Sequence, residues 1–142
     1  MRLKALVAVH LFLIRNEHIL LLRRYNTGYA DGQYSVIAGH LDGNEEIQTA
    51  MIREAWEEAG IEIEPSQLHI VGVMHRKSVD ERIDFFLVAN EWANEISNKE
   101  PHKCDELAWY PLDDLPETTI PYIRTAITNY RQGRWFDSFG WV

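Results

Sequence analysis

The stretch Gly39-His40-Leu41-Asp42-Gly43-Asn44-Glu45-Glu46-Ile47-Gln48-Thr49-Ala50-Met51-Ile52-Arg53-Glu54-Ala55-Trp56-Glu57-Glu58-Ala59-Gly60-Ile61 decides how this chain is read. Asn44 is a suitable N-cap, Glu45 and Glu46 suit the positive end of a helix dipole, and Gly60 suits the position just beyond a helix end. The spacing therefore predicts a helix over 45–59. Glu54 stands three residues before Glu57 and four before Glu58, which puts the three carboxylates on one helix face. Anions that close repel one another, so either water screens them or a cation neutralises them. At about 100° per residue, Ile52, Ala55, Trp56 and Ala59 form an apolar face. Ile47, Ala50 and Met51 fall on or beside the carboxylate face itself. A face meant for bulk water is polar along its whole length, so these acids are expected in a cleft beside the core. The spacing alone leaves a solvated acidic face and a metal site both open.

Hard oxygen ligands favour Mg²⁺, with Mn²⁺ as the alternative, and no His or Cys group has zinc spacing. Mg²⁺ dehydrates reluctantly and binds through one or two carboxylates plus substrate phosphates. A phosphate-bearing small molecule is the natural partner of such a helix.

Outward from this helix, residues 3–15 and 18–24 are apolar runs separated by Asn16-Glu17, which predicts a hairpin. Residues 25–32 read as a loop, 33–37 as a short strand and Gly39–Asn44 as a second loop. β-type segments follow near 68–76, 82–92 and 107–111, and a second helix is predicted over 120–132. Mixed strands with two helices predict an α/β sandwich in a single domain, residues 1–142. The run Ala5–Ile14 after Arg2 and Lys4 is read as a buried first strand. It is too short to span a bilayer, and it ends in Arg15-Asn16-Glu17 with no small-residue cleavage site.

With 22 acids against 14 Lys and Arg, the formal charge of −8 argues against a nucleic acid polymer as partner. It leaves room for a small polyphosphate, because a bound cation inverts the local field. The lone cysteine, Cys104, excludes an internal disulfide and suits a reducing, cytoplasmic setting. A membrane partner is not expected, and a monomer or a homodimer is.

Gly39, Glu45, Arg53, Glu54, Glu57, Glu58, Gly60 and Ile61 fill the pattern G-x5-E-x7-R-E-x-x-E-E-x-G-hydrophobic over residues 39–61. In this the chain resembles the Nudix (MutT-like) hydrolases, and the likeness extends from Leu20–Arg24 to Trp109-Tyr110-Pro111-Leu112 and Asp114-Leu115-Pro116. It departs from the family at Ala38, where proline or glycine is common, and at Gly43-Asn44. The resemblance implies an α/β/α sandwich with a mixed β-sheet. It also implies that Glu54, Glu57 and Glu58 hold metal with help from the Ala38 carbonyl. Arg53 would orient Glu54, and Glu45 would bind metal-held water or pair with Arg53. Glu54 is the candidate general base, since a carboxylate beside bound metal can accept a proton from attacking water.

Arg23 is chosen over Arg24 as the phosphate contact on the strand before the first loop, and Gly39 and His40 are candidates beside it. Arg76, Lys77 and Arg82 read more readily as surface charge. Glu100-Pro-His-Lys-Cys-Asp-Glu106 resembles a Glu-Pro-x-x-Cys loop of some triphosphate-cleaving Nudix enzymes, which makes Glu100 or Glu106 a candidate extra ligand or base. Trp135, Phe136, Phe139 and Trp141 are expected to pack rather than stack on a base. The expected reaction is cleavage of a nucleoside or deoxynucleoside triphosphate to monophosphate and pyrophosphate. Nucleotide sugars, ADP-ribose and dinucleoside polyphosphates stay open as substrates, as does a non-catalytic nucleotide sensor on the same fold.

Overall fold

The computed structural model describes residues 1–142. Strand β1 (Leu6–Arg15) turns into β2 (His18–Arg24) through Asn16 and Glu17, whose φ values of 53° and 60° are those of a tight hairpin turn. There follow β3 (Tyr34–Ser35), β4 (Ile37–His40), α1 (Ile47–Ala59), a 3-10 turn (Pro65–Gln67), β5 (His69–Lys77), β6 (Glu81–Ala89), β7 (Cys104–Pro111), α2 (Pro121–Gln132) and β8 (Phe136–Phe139). The eight strands form one mixed sheet along the path β3-β2-β1-β6-β5-β8, with β4 branching from β1 and β7 from β2.

β1 holds the sheet together. Residues 8–11 pair antiparallel with β4, residues 6–13 pair parallel with β6, and only Ile14 and Arg15 pair with β2. Such a strand is covered on both faces, which is why it reads as a continuous apolar run. Val9, Leu11 and Leu13 join Ala50, Met51, Ala55 and Ala59 of α1 in one core. Phe12 joins Ile123, Ala126 and Ile127 of α2 in the other. Each fully buried Leu, Ile or Phe contributes about 1.5–3 kcal/mol. Two cores, one on each side of the sheet, make the α/β/α sandwich. No helix is long and apolar enough to cross a membrane.

Several local expectations need correction. α1 starts at Ile47, and its N-cap is the extended Glu46, which gives no side-chain cap bond. Asn44 has a φ of 58°, unlike the extended backbone an N-cap needs, so it serves the turn. The strand over 33–37 is two strands, and Gly39 and His40 belong to β4 rather than to a loop. Trp56 is exposed and Ile52 only half-buried, while Ala50 and Met51 are buried. The core therefore contacts α1 on the side adjoining its carboxylates. The tail is a strand: β8 pairs parallel with β5, and the Trp141 indole N–H donates to the His75 carbonyl at 2.9 Å.

Candidate active site

α1 ends at Gly60, whose left-handed φ of 68° lets its N–H return to the Trp56 carbonyl. This stop leaves Glu54, Glu57 and Glu58 on the last two turns, alongside β4. The approach is close because Gly39 has no side chain: a Cβ there would overlap the carboxyl group of Glu54. Glu58 is turned inward, and its Oε2 is buried without a hydrogen-bond partner. Burial, followed by the adjacent Glu54 carboxylate, raises the Glu58 carboxyl well above the usual range, against a lowering contribution from the Ala38 backbone. Glu54 and Glu58 are thus two acids in contact, one of them with an orphaned oxygen, beside the half-exposed Glu57.

Arg53 organises the outer side of this set. Its Nη2 and Nε donate to the two oxygens of Glu45 at 2.7 and 3.2 Å. Its Nη1 donates to Glu54 Oε1 at 2.8 Å and reaches Glu57 Oε2 at 3.4 Å, while Asp42 lies 3.5 Å from Nη2. Glu45 is held below the usual carboxylate range, chiefly by its hydrogen bond from Arg53. Arg53 is thus a shared clamp that spaces the carboxylates and fixes the rotamer of Glu54.

These acids open into a cavity of about 850 Å³ whose lining includes Ala38, Gly39, His40, Glu54, Glu57, Glu58 and Glu100. Arg24, Arg76, Arg82 and Lys103 line it too. The structure does not bring Arg23 there: its guanidinium is paired with Asp105 at 2.7 and 3.1 Å, and Arg24 takes the place facing the cleft. Glu106 is also elsewhere, accepting from the hydroxyls of Tyr34, at 2.9 Å, and Tyr110. The aromatic tail residues lie outside the cavity lining. His40 faces Arg82 across 3.3 Å, and Lys77 lies against Trp141 rather than in the cleft. Arg76, expected on the surface, is buried. The available signal was alternation: Met74, a core residue, and Arg76 share one face of β5.

His10, Arg76 and Tyr122 form a second polar cluster in the cavity lining. Arg76 pairs with buried Asp84 at 2.6 Å, and its guanidinium carbon sits 3.8 Å from the centre of the Tyr122 ring. His10 stacks on Phe86 and lies 3.2 Å from the Tyr122 hydroxyl. Burial depresses the His10 pKa to about 4. A group depressed in this way stabilises the fold above its unfolded value of 6.5 and loses that contribution as pH falls to about 4. The loss amounts to about 3 kcal/mol at 1.36 kcal/mol per unit. Thermal melts from pH 7 to 4 should therefore show a steep decline that His10→Gln flattens; equal slopes in the two proteins would exclude His10 as its source.

A NUDIX domain model matches residues 4–130. The chain belongs to the NUDIX family. Among solved structures, it resembles the MutT NUDIX hydrolase of Burkholderia pseudomallei, at TM-score 0.81 and 25% identity over 88% of this chain and 97% of that one. It also resembles a MutT protein of Methanosarcina mazei Go1, at TM-score 0.78 and 20% identity over 92% of this chain and 97% of that one. A curated relative, the NAD-capped RNA hydrolase NudC of Stutzerimonas stutzeri, is 28% identical over 116 residues. That match covers 82% of this chain but only 39% of the relative's length.

Proposed function

We propose that this protein is a Nudix hydrolase that cleaves a phosphoanhydride bond of a nucleoside or deoxynucleoside triphosphate, giving a monophosphate and pyrophosphate, with Mg²⁺ or Mn²⁺ as cofactor. The observation that carries this reading is the buried, unpartnered Glu58 Oε2 beside Glu54, at the acidic end of a cavity that also holds four cationic side chains. Glu54, Glu57 and Glu58, with the carbonyl of Ala38, are the groups that would hold the metal. When bound, it supplies Lewis-acid polarisation of the phosphoryl oxygens and acidifies water. Glu54 accepts the proton of the attacking water, and Arg53, itself braced by Glu45, keeps that carboxylate aimed. Arg24, Arg82, His40 and Lys103 contact the phosphates, and Glu100 adds a further carboxylate at the mouth. A pure nucleotide sensor has no need for the full acidic set.

A phosphate-release screen over nucleoside triphosphates, nucleotide sugars, ADP-ribose and dinucleoside polyphosphates tests the reading. NAD-capped RNA belongs in it because of the name of the curated relative. We expect Mg²⁺-dependent release from triphosphates, rising toward alkaline pH and abolished by EDTA. Undiminished release in excess EDTA would refute the metal's part; release from other nucleotide classes alone would refute the substrate.

A further inference from the structure

The second polar cluster of the cleft is built around a guanidinium with an unused edge. Arg76 is 7% exposed and Asp84 0%. Asp84 accepts from Nε at 2.6 Å and from Nη2 at 3.4 Å, so Nη1 has no partner in the protein although the residue lines the cavity. The Tyr122 ring lies against the guanidinium, and with the Asp84 pairing this holds it in place. Asp84 neutralises the charge where it stands, so this cluster is poorly suited to holding phosphate. It presents instead a fixed set of N–H vectors.

His10 determines what Tyr122 presents beside them. The His10 Nδ1 lies 3.3 Å from the carbonyl oxygen of Phe85, which can only accept, so Nδ1 carries the proton. Nε2 then accepts from the Tyr122 hydroxyl, and Tyr122 is left with a lone pair for a ligand. The wall thus sets donors from Arg76 next to an acceptor from Tyr122. β5, which carries Arg76, lies three strand spacings from β4, about 14 Å across the sheet at 4.7–4.9 Å each, and the carboxylates project from α1 beside β4. A nucleotide with its phosphates at Glu54, Glu57 and Glu58 extends its base toward this wall.

We propose that Arg76 is a specificity-determining residue that reads the acceptor edge of a 6-oxopurine, so that the site selects guanine nucleotides over adenine nucleotides. The proposal rests on the reading of the cleft as a nucleotide site. Guanine carries two adjacent acceptors, N7 and O6, which match a guanidinium edge, and its N1–H beyond O6 faces an acceptor. Adenine puts an amino donor where O6 stands, setting N–H against N–H.

The test is calorimetric titration of GMP and AMP, in Mg²⁺ buffer, into the wild-type protein and Arg76→Lys. Lysine keeps a positive charge for Asp84 but loses the planar paired donors. GMP is expected to bind the wild type at least about tenfold more tightly than AMP, and the ratio to fall near unity in Arg76→Lys with AMP little changed. Equal wild-type affinities, no binding of either nucleotide, or a preference that survives in Arg76→Lys would each overturn the proposal. Should Arg76→Lys not fold, the double variant Arg76→Gln/Asp84→Asn replaces the buried ion pair by neutral amides, and the preference must vanish there. GTP hydrolysis measured in parallel separates the two readings. A GMP preference without GTP cleavage keeps the base reader and sinks the hydrolytic reading. GTP and ATP cleaved equally, with no GMP preference, does the reverse.

Discussion

Glu58→Gln is expected to lower the rate of hydrolysis by at least about a hundredfold while making the metal-free protein more stable near neutral pH. The two effects share one cause. Glu58 has a buried oxygen with no partner and a neighbouring carboxylate, and folding raises its pKa above the unfolded value of 4.5. Folding therefore favours the protonated form. The stability this contributes is complete below the unfolded value and is lost as pH rises through the folded one. Glutamine cannot ionise, so it removes that penalty, and it removes the anion a metal needs. Steady-state kinetics with Mg²⁺, alongside thermal melts in EDTA near pH 5 and pH 8, check both parts. Near-normal turnover would sink Glu58 as a metal ligand. A variant less stable than wild type near pH 8 would sink the account of its burial.

Gly39→Ala is expected to cost roughly a hundredfold in kcat, since a displacement of about 1 Å at a reacting group can cost that much. Its stability should stay close to that of the wild type. The added methyl would overlap the carboxyl end of Glu54, a flexible part of a side chain, so the chain can relieve the clash without moving backbone. Relief takes Glu54 away from Arg53 Nη1, now 2.8 Å distant, and out of line for proton transfer. A melt paired with single-turnover kinetics checks this. Full activity would mean that the close approach of Glu54 to β4 is not required, and a large drop in melting temperature would mean that the clash is borne by the backbone.

The helix and its acids could be read in advance because both depend on local spacing, and Gly60 marks its end unambiguously. The start of the helix could not, because Asn44 is as good a turn residue as it is a cap, and the turn won. Alternation along β2 says only that one of Arg23 and Arg24 faces the cleft, and because Ile19 to Leu22 are all apolar it does not say which. The strand keeps its alternation, with Leu22 and Arg24 both lining the cavity, and the register shift leaves Asp105 as an extra residue of the facing strand β7. Arg23 found Asp105, a residue far away in sequence. Arg76, Asp84, His10 and Tyr122 come from four separate elements, and only the sheet order β1-β6-β5 with α2 packed over it brings them together. No local pattern carries that information. β8 was hidden for a similar reason, being a four-residue strand whose partner lies far upstream.

The pairing of β1 also bears on how the chain is made. Leu6 meets Arg82 and Leu13 meets Ala89, so the parallel edge of β1 has no partner until β6 has been synthesised. The hairpin with β2 occupies only Ile14 and Arg15, and β4 covers the opposite edge of residues 8–11. At roughly 5–20 residues per second, the most apolar strand of the protein presents an open edge for seconds while the ribosome completes its neighbour. Late-closing parallel pairs of this kind fold slowly and are prone to aggregate. That interval during translation is when a holding chaperone has most to protect.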